Sequence, residues 1–374
     1  MLNRKIKITT ILGTRPELIR MVEILKNFDI HFDHRLLHSG QNSEKEMNEV
    51  FFNDFKLRDP DLSMNINADS LGRSLANLFV KVECDLMDNR PDALVVLGDT
   101  NTGLATIIAK RMMIPIFHIE GGNRSFDLNV PEEINRKIID HTSDFNLVYS
   151  EQARRNLLHE GIQPRTICLI GSPLKEVISK NLQQIKESKI VSSLLVTQKN
   201  YILISYHRQE NIDSLDRLKT FIDTIEMLAG RYRIPIIVST HPRLEDKIKN
   251  YKHELSELVI LHKPFSFFDY CNLQMNSRFV ISDSGSISEE AAILGFKGIT
   301  LRNSIERPES IESGTITMVG PDSPFITSSL NFVENSNSAA QIPYEYSITD
   351  TSRRVVNFIF STVNEYSFWF GIRK

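Results

Sequence analysis

The chain of 374 residues is too long for one ordinary hydrophobic core and suits two α/β domains. Its 41% hydrophobic and 24% charged residues are those of a soluble globular protein, and a formal net charge of −3 argues against nucleic acid or an anionic membrane as partner. The three cysteines, Cys84, Cys168 and Cys271, are isolated and odd in number, which disfavours a disulfide framework or a CxxC metal site and fits a reducing compartment.

The opening MLNRKIKITTILG reads as a first strand rather than a signal peptide, and no run approaches the roughly 20 apolar residues that span a bilayer, so a cytoplasmic protein is expected. Ile6 to Leu12 is the first predicted strand. It turns through Gly13-Thr14-Arg15-Pro16 into a helix with Leu18, Met21, Val22 and Leu25 at helical spacing. A second helix carries Leu71, Leu75, Leu78, Phe79, Val82 and Leu86 and leads to a strand at Ala93 to Leu97. Ile114 to Ile119, Phe145 to Val148 and Ile167 to Ile170 are further strands. The pattern weakens from Lys180 to Asn200, read as a helix tail and an interdomain connection. A second series of strands follows at 201–205, 234–239, 259–261, 279–282 and 298–301, with a helical stripe at Leu215, Leu218, Phe221, Ile222, Ile225 and Leu228. Glu334 to Ala340 reads as a loop and Ser352 to Val363 as a helix. Strands alternating with helices predict an α/β fold of two Rossmann-like, doubly wound parallel-sheet domains facing each other across a cleft. The expected divisions are 1–185, a nucleotide-binding 200–345, and a C-terminal helix in 346–374 packing back toward the first domain.

In such sheets ligands meet the loops after the strands, and the unusual polar residues of this chain fall there. Gly13 to Arg20 (GTRPELIR) offers N–H groups and Arg15 to an anion, although an ordinary strand–helix turn reads the same way, and it is not the GxGxxG dinucleotide fingerprint. Asp99 in Gly98 to Thr102 (GDTNT) suits a site or a helix N-cap. In His118 to His141, strand alternation puts His118 and Glu120 on one side, while Glu132 and Glu133 follow Pro131 at a helix start, where they would also complement the dipole. His118 and Glu120 lack a third ligand at metal-binding spacing. His207-Arg208 after the first strand of the second series suits a phosphate contact. Ser284-Gly285-Ser286, followed by a helix carrying Glu289 and Glu290, is the best phosphate-site candidate, and an acid there suits ribose hydroxyls; a plain capped helix is the bland alternative.

In this order, GTRPE, GQN (Gly40 to Asn42), GDT, HxE-x-G, PEE-x-NR, HR-x-EN, SDSG-x-x-EE and RPE (Arg307 to Glu309) resemble the UDP-N-acetylglucosamine 2-epimerase family of the non-hydrolysing type, from about residue 8 to residue 320. The resemblance implies the two-domain fold shared with GT-B glycosyltransferases, a UDP-linked 2-acetamido sugar as substrate, no cofactor and no metal, and a homodimer. The stretch GNRSFDLNVPEEINRKIIDH, with THPR at 240–243, FFDY at 267–270 and Trp369, is most similar to the branch that converts UDP-2-acetamido-2,6-dideoxy-L-talose to UDP-N-acetyl-L-fucosamine for capsule or O-antigen synthesis.

By the same resemblance Asp99, Glu120 and Glu132 are catalytic acids, and His207 is a further catalytic residue that also holds the nucleotide diphosphate. Arg15, Arg20, Ser284, Gly285, Ser286 and Glu290 hold UDP and sugar, and Gln41 matches an activator site. Arg20 stands where the common members have lysine; its guanidinium stays charged, so it suits anion binding rather than proton transfer. Gly121 replaces a usual alanine, which is expected to loosen the loop behind Glu120. The implied chemistry removes UDP across C1–C2 to a 2-acetamidoglycal and adds it back, with crowding of the acids expected to raise at least one pKa. The alternatives are a UDP-N-acetylglucosamine/UDP-N-acetylmannosamine 2-epimerase, a hydrolysing epimerase, a glycosyltransferase, and a nucleotide-sugar sensor without activity.

Overall fold

The computed structural model describes residues 4–40, 52, 54–66, 69–240, 242–250, 255–321, 324–336 and 341–372. The chain divides into two units, residues 1–177 with 348–374, and residues 178–347. Among the described residues, no helix is long and apolar enough to cross a membrane.

The N-terminal unit holds strands β1 (Lys7–Leu12), β2 (Asp33–His38), β3 (Leu62–Ser63), β4 (Ala93–Leu97), β5 (Ile116–Ile119), β6 (Phe145–Val148) and β7 (Ile167–Leu169). They form one parallel sheet in the order β3-β2-β1-β4-β5-β6-β7. The all-buried run of β4 marks it as central, because a strand covered on both faces must be apolar throughout. Helices α1 (Arg15–His31) and α2 (Leu71–Asp88) lie between successive strands. From α2, Leu78, Val82 and Leu86 enter the core and Leu75 and Phe79 pack at its edge. Leu71, expected in that stripe, opens the helix and is exposed, since the first turn precedes the packed face.

The C-terminal unit repeats the plan with β8 (Ile202–Ser205), β9 (Ile236–Ser239), β10 (Val259–His262), β11 (Val280–Ser282), β12 (Gly298–Leu301) and β13 (Ile316–Val319), parallel in the order β10-β9-β8-β11-β12-β13. Successive residues of β8 feed opposite faces: Ile202 and Ile204 enter one apolar cluster, Leu203 the other, joined there by Tyr201 just before the strand. Residues 182–187 and 190–193, within the stretch read as a helix tail and a connection, are two short helices of this unit. They are tied to the helix Phe267–Asn276, where Asn272 Nδ2 donates to Ile185 O at 2.7 Å and Ser188 Oγ to Asp269 Oδ1 at 2.5 Å. Glu334 and Asn335 end the helix Ile326–Asn335 rather than opening a loop, and 337–340 lie outside the described residues.

The C-terminal helix Thr351–Thr362 returns to the N-terminal unit. Glu176 accepts from Ser352 N at 2.8 Å and from Ser352 Oγ at 2.7 Å, while Phe360 meets Phe32 with ring centroids 4.8 Å apart.

In each sheet the strand order reverses once, between β1 and β4 and between β8 and β11. Loops leaving the carboxyl ends of such a pair diverge to opposite faces and leave a crevice. Gly13–Thr14 and Gly98–Asp99 flank the first crevice, and Tyr206–His207 and Asp283–Ser284 the second.

Candidate active site

Around the first crevice, Asp99 follows the buried strand β4 but caps no helix, because the N-cap of the short 3₁₀ turn Asn101–Ala105 is the next residue, Thr100. Its carboxylate instead takes Arg136 Nε at 2.8 Å. Arg136 lies on the helix α3 (Pro131–Thr142), where its other arm reaches Glu133 Oε2 at 2.9 Å. Asn135 Nδ2 donates to Asp99 O at 2.9 Å, so one turn of α3 pins this turn twice.

Glu120 was expected to share a strand face with His118. The strand β5 ends at Ile119, however, and Glu120 has φ +75°, left-handed, so alternation does not carry through it. His118 points into the fold, whereas Glu120 faces Arg20 Nε at 3.7 Å and accepts from Asn123 Nδ2 at 3.2 Å. Arg20, nearly buried on α1, is thus an ionic neighbour of Glu120. The strain of a left-handed glutamate is of the kind that clusters at active sites.

The adjacent acids of PEE-x-NR separate. Glu132 is exposed on the first turn of α3. Glu133 is fully buried, accepting from Ser125 N at 2.9 Å and Phe126 N at 3.2 Å, and holds the loop ahead of the helix. Arg15 is half-buried at the start of α1. Gln41 lies outside the described residues.

A further carboxylate belongs to this crevice, that of Glu17. Burial raises Glu17 from 4.5 to about 7, against hydrogen bonds from Thr100, Gly13 and Thr14 that lower it; the charge of Asp99 adds to the rise. Gly13 N and Thr14 N donate to its Oε2 at 2.5 and 2.9 Å, and Thr100 Oγ1 to its Oε1 at 2.5 Å. Glu17 thereby ties the β1 turn to the Asp99 turn. Its signal was legible as the capping-box spacing Thr14-x-x-Glu17.

Gly121 does not loosen its loop. A Cβ there would stand 2.9 Å from Asn146 Oδ1 and 3.0 Å from Asp140 Oδ1, so these buried side chains occupy the methyl's place.

Around the second crevice everything turns on Asp283, fully buried at the end of β11. It accepts from His207 N at 3.1 Å, Arg208 N at 2.9 Å and Asn211 Nδ2 at 3.0 Å, and His207 Nδ1 lies 3.0 Å from its Oδ1. Burial would lower the His207 pKa, but the charge and hydrogen bond of Asp283 outweigh it and raise the value. With Nδ1 engaged, the half-exposed ring presents Nε2. Ser284 and Ser286 share a hydroxyl contact of 2.9 Å, and the helix α4 (Ile287–Leu294) begins directly after them. Behind Gly285, whose added Cβ would be 3.4 Å from both Arg302 Nη1 and Arg307 Nη1, lies an ion network. There Arg302 grips Glu306 with two bonds of 2.7 and 2.5 Å, and Arg307 Nε stands 3.2 Å from Glu289. Glu290 accepts from Gln274 Nε2 at 2.6 Å. The turn is therefore an array of N–H and hydroxyl groups with arginines close behind, suited to an oxyanion.

Sequence reasoning missed Arg136, Asp283 and the arginines 302 and 307 as builders of these sites. Arg136 and Arg307 lie inside motifs that were noticed for their acids; the i,i+3 spacing of Glu133 and Arg136 was the available signal.

The pattern of the family described as UDP-N-acetylglucosamine 2-epimerase matches residues 25–360. A solved UDP-N-acetylglucosamine 2-epimerase from Rickettsia bellii superposes with a TM-score of 0.90 at 38% identity, covering 98% of this chain and 100% of that one. The Methanocaldococcus jannaschii UDP-GlcNAc 2-epimerase, solved with UDP-GlcNAc and UDP, gives 0.88 at 31% identity, covering 95% and 99%. A Pseudomonas aeruginosa UDP-2,3-diacetamido-2,3-dideoxy-D-glucuronate 2-epimerase is 28% identical over 84% of this chain and 88% of its own. With two parallel-sheet α/β units of the same architecture, the chain belongs to the UDP-N-acetylglucosamine 2-epimerase family and is an isomerase of UDP-sugars.

Proposed function

We propose that this epimerase inverts C2 of a UDP-linked 2-acetamido sugar by eliminating UDP and adding it back. C2 has no neighbouring carbonyl to acidify its hydrogen, so a free carbanion is inaccessible. In the elimination a base takes the C2 proton, the C–H electrons form the C1=C2 bond, and the C1–O bond breaks with its electrons leaving on the β-phosphate. In the return, a β-phosphate oxygen attacks C1 of the 2-acetamidoglycal while a proton reaches the opposite face of C2. Electrons and atoms balance without hydride transfer.

The observation that carries this reading is the placement of Asp99 and Glu120 at the ends of neighbouring strands, just past the paired Leu97 and Ile119. Two acids beside one carbon are what proton removal on one face and delivery on the other require. In this reading Asp99, Glu120 and exposed Glu132 share the acid–base work and Arg20 acts as counter-ion to Glu120. Arg15, His207 and the Ser284-Gly285-Ser286 turn stabilise the departing diphosphate, and Glu290 serves the ribose.

For the sugar, the sequence resemblance favours UDP-2-acetamido-2,6-dideoxy-L-talose, giving UDP-N-acetyl-L-fucosamine for capsule or O-antigen synthesis. The second reading, UDP-N-acetylglucosamine to UDP-N-acetylmannosamine, is favoured by the names of the relatives. Trp369, one marker of the first branch, packs within its own unit: its ring lies 4.9 Å from the Arg165 guanidinium and 6.1 Å from Phe145. Incubating the protein in D₂O with each UDP-sugar and following C1 and C2 by proton NMR tests both. A UDP-linked epimer with deuterium at C2 supports the mechanism and identifies the sugar. Free sugar plus UDP means hydrolysis, and binding of both without exchange at C2 overturns the reading for both.

A further inference from the structure

His118 is 1% exposed and Asp140 0%, and neither is among the groups given a chemical role above. His118 Nε2 lies 2.8 Å from the Gly98 carbonyl oxygen, and Nδ1 lies 2.8 Å from Asp140 Oδ1. A carbonyl only accepts, so Nε2 carries hydrogen. Asp140 also takes Gly122 N at 3.1 Å and Arg124 Nη1 at 2.7 Å on its other oxygen, surroundings that favour the carboxylate and a protonated ring beside it. Burial alone would lower the His118 pKa and raise that of Asp140, but their mutual hydrogen bond and charge reverse both; Glu120 adds to the rise at His118, and Arg124 to the fall at Asp140.

The two ends of this chain of bonds are informative. Gly98 directly precedes Asp99 and is itself left-handed, with φ +74°. Gly122 follows Glu120 by two residues, with φ +80°. Gly122 cannot be replaced by a residue that would stiffen the loop from within, because an added Cβ would stand 2.3 Å from Ala153 O. The kinked loops carrying the two acids thus share a buried side-chain cross-brace, beside the backbone bond from Gly98 N to Ile119 O at 2.9 Å.

We propose that the His118–Asp140 pair is a positioning device that couples the Asp99 turn to the Glu120 loop, so that the two acids keep one fixed separation across the reacting carbon. The acid–base roles of Asp99 and Glu120 are those of the proposed function, on which this inference rests. His118 and Asp140 are positioning residues, since they act through the backbone of the acids' own loops. A displacement of about 1 Å in a reacting group costs up to roughly a hundredfold in rate, which sets the scale of the effect.

The geometry supplies a clean pair of cuts in the full-length protein. His118→Asn keeps a donor near the Nδ1 position and releases the Gly98 end. His118→Gln keeps one near Nε2 and releases the Asp140 end. We expect each to lower kcat about 30-fold with KM changed less than about threefold, and the double variant His118→Gln/Asp140→Asn to lose no more than His118→Gln alone. Amide hydrogen exchange, read over residues 98–103 and 120–124, should rise in both segments together, with UDP affinity unchanged. If either variant loosens one segment and leaves the other protected, the coupling is wrong. If kcat per folded molecule is unchanged while thermal stability falls, the pair supports the fold only and the inference is overturned. A variant too unstable to purify is replaced by Asp140→Asn, read by the same exchange experiment. Should the wild-type protein show no C2 epimerisation, the functional reading fails, while the exchange result still decides whether the two loops are coupled.

Discussion

The crevice of the N-terminal unit is built from separate side-chain acids on kinked loops, each braced by a buried ion: Asp99 by Arg136, Glu120 near Arg20. In the crevice of the C-terminal unit a buried carboxylate, Asp283, organises backbone amides and a histidine from a single strand end. In the proposed function the two crevices serve different ends of the UDP-sugar. Moving a proton needs side chains whose charge can change, held at fixed places, whereas holding a diphosphate needs fixed donors. Turnover and UDP affinity should therefore come apart under mutation.

The largest separation is expected at the acids. Asp99→Asn and Glu120→Gln each should lower turnover at least about a hundredfold, the usual scale for acid–base groups. A near-normal steady-state rate in either variant removes that residue from the mechanism. Next comes their scaffolding. Arg136→Leu leaves the fully buried Glu133 without its ionic partner, and loss of one member of such a pair costs about 3–5 kcal/mol. A loss below about 1 kcal/mol in denaturant titration would show that the backbone donors from Ser125 and Phe126 suffice.

A smaller effect probes the Gly121 departure. Gly121→Ala should cost about 1–3 kcal/mol through overpacking against Asn146 and Asp140. Adding Asn146→Ala should recover part of that in the unfolding midpoint, since Asn146 Oδ1 is both the crowding atom and without a hydrogen-bond partner. No recovery would move the strain to Asp140. The last effect is a slope. The pKa of Glu17 is higher in the folded protein, about 7 against an ordinary 4.5, so the folded state binds its proton more tightly. Its contribution is thus fully present below about 4.5 and is lost as pH rises through about 7. Glu17→Gln should flatten that part of the stability–pH curve, and an unaltered slope would mean that another group titrates there.

Much of this was legible in the sequence where apolar strands announce themselves. Ala93 to Leu97 and Phe145 to Val148 were read with their observed bounds because both are buried throughout. Strand β2 was not, because its first half is polar: Arg35 pairs with Asp85 of α2, and only Leu36 to His38 are buried. Strand β13 is four residues at a sheet edge with Met318 exposed, which leaves little pattern. At the sites, the motifs located the acids but not their conformations. The left-handed turn at Glu120 depends on tertiary packing, and the burial that separates Glu133 from Glu132 depends on a loop eight residues earlier in the chain. Asp283 looked like a polar residue in a serine-rich turn, although its partners arrive from residues 207–211, more than 70 positions away.

The division of labour is tested most directly by UDP affinity, measured calorimetrically for Asp99→Asn and Asp283→Asn side by side. We predict that Asp99→Asn binds UDP as the wild type does, while Asp283→Asn, which loosens His207 and the turn before Ser284, weakens binding at least about tenfold. Equal weakening in both, or weakening by Asp99→Asn alone, would contradict the assignment of proton transfer to one unit and diphosphate binding to the other.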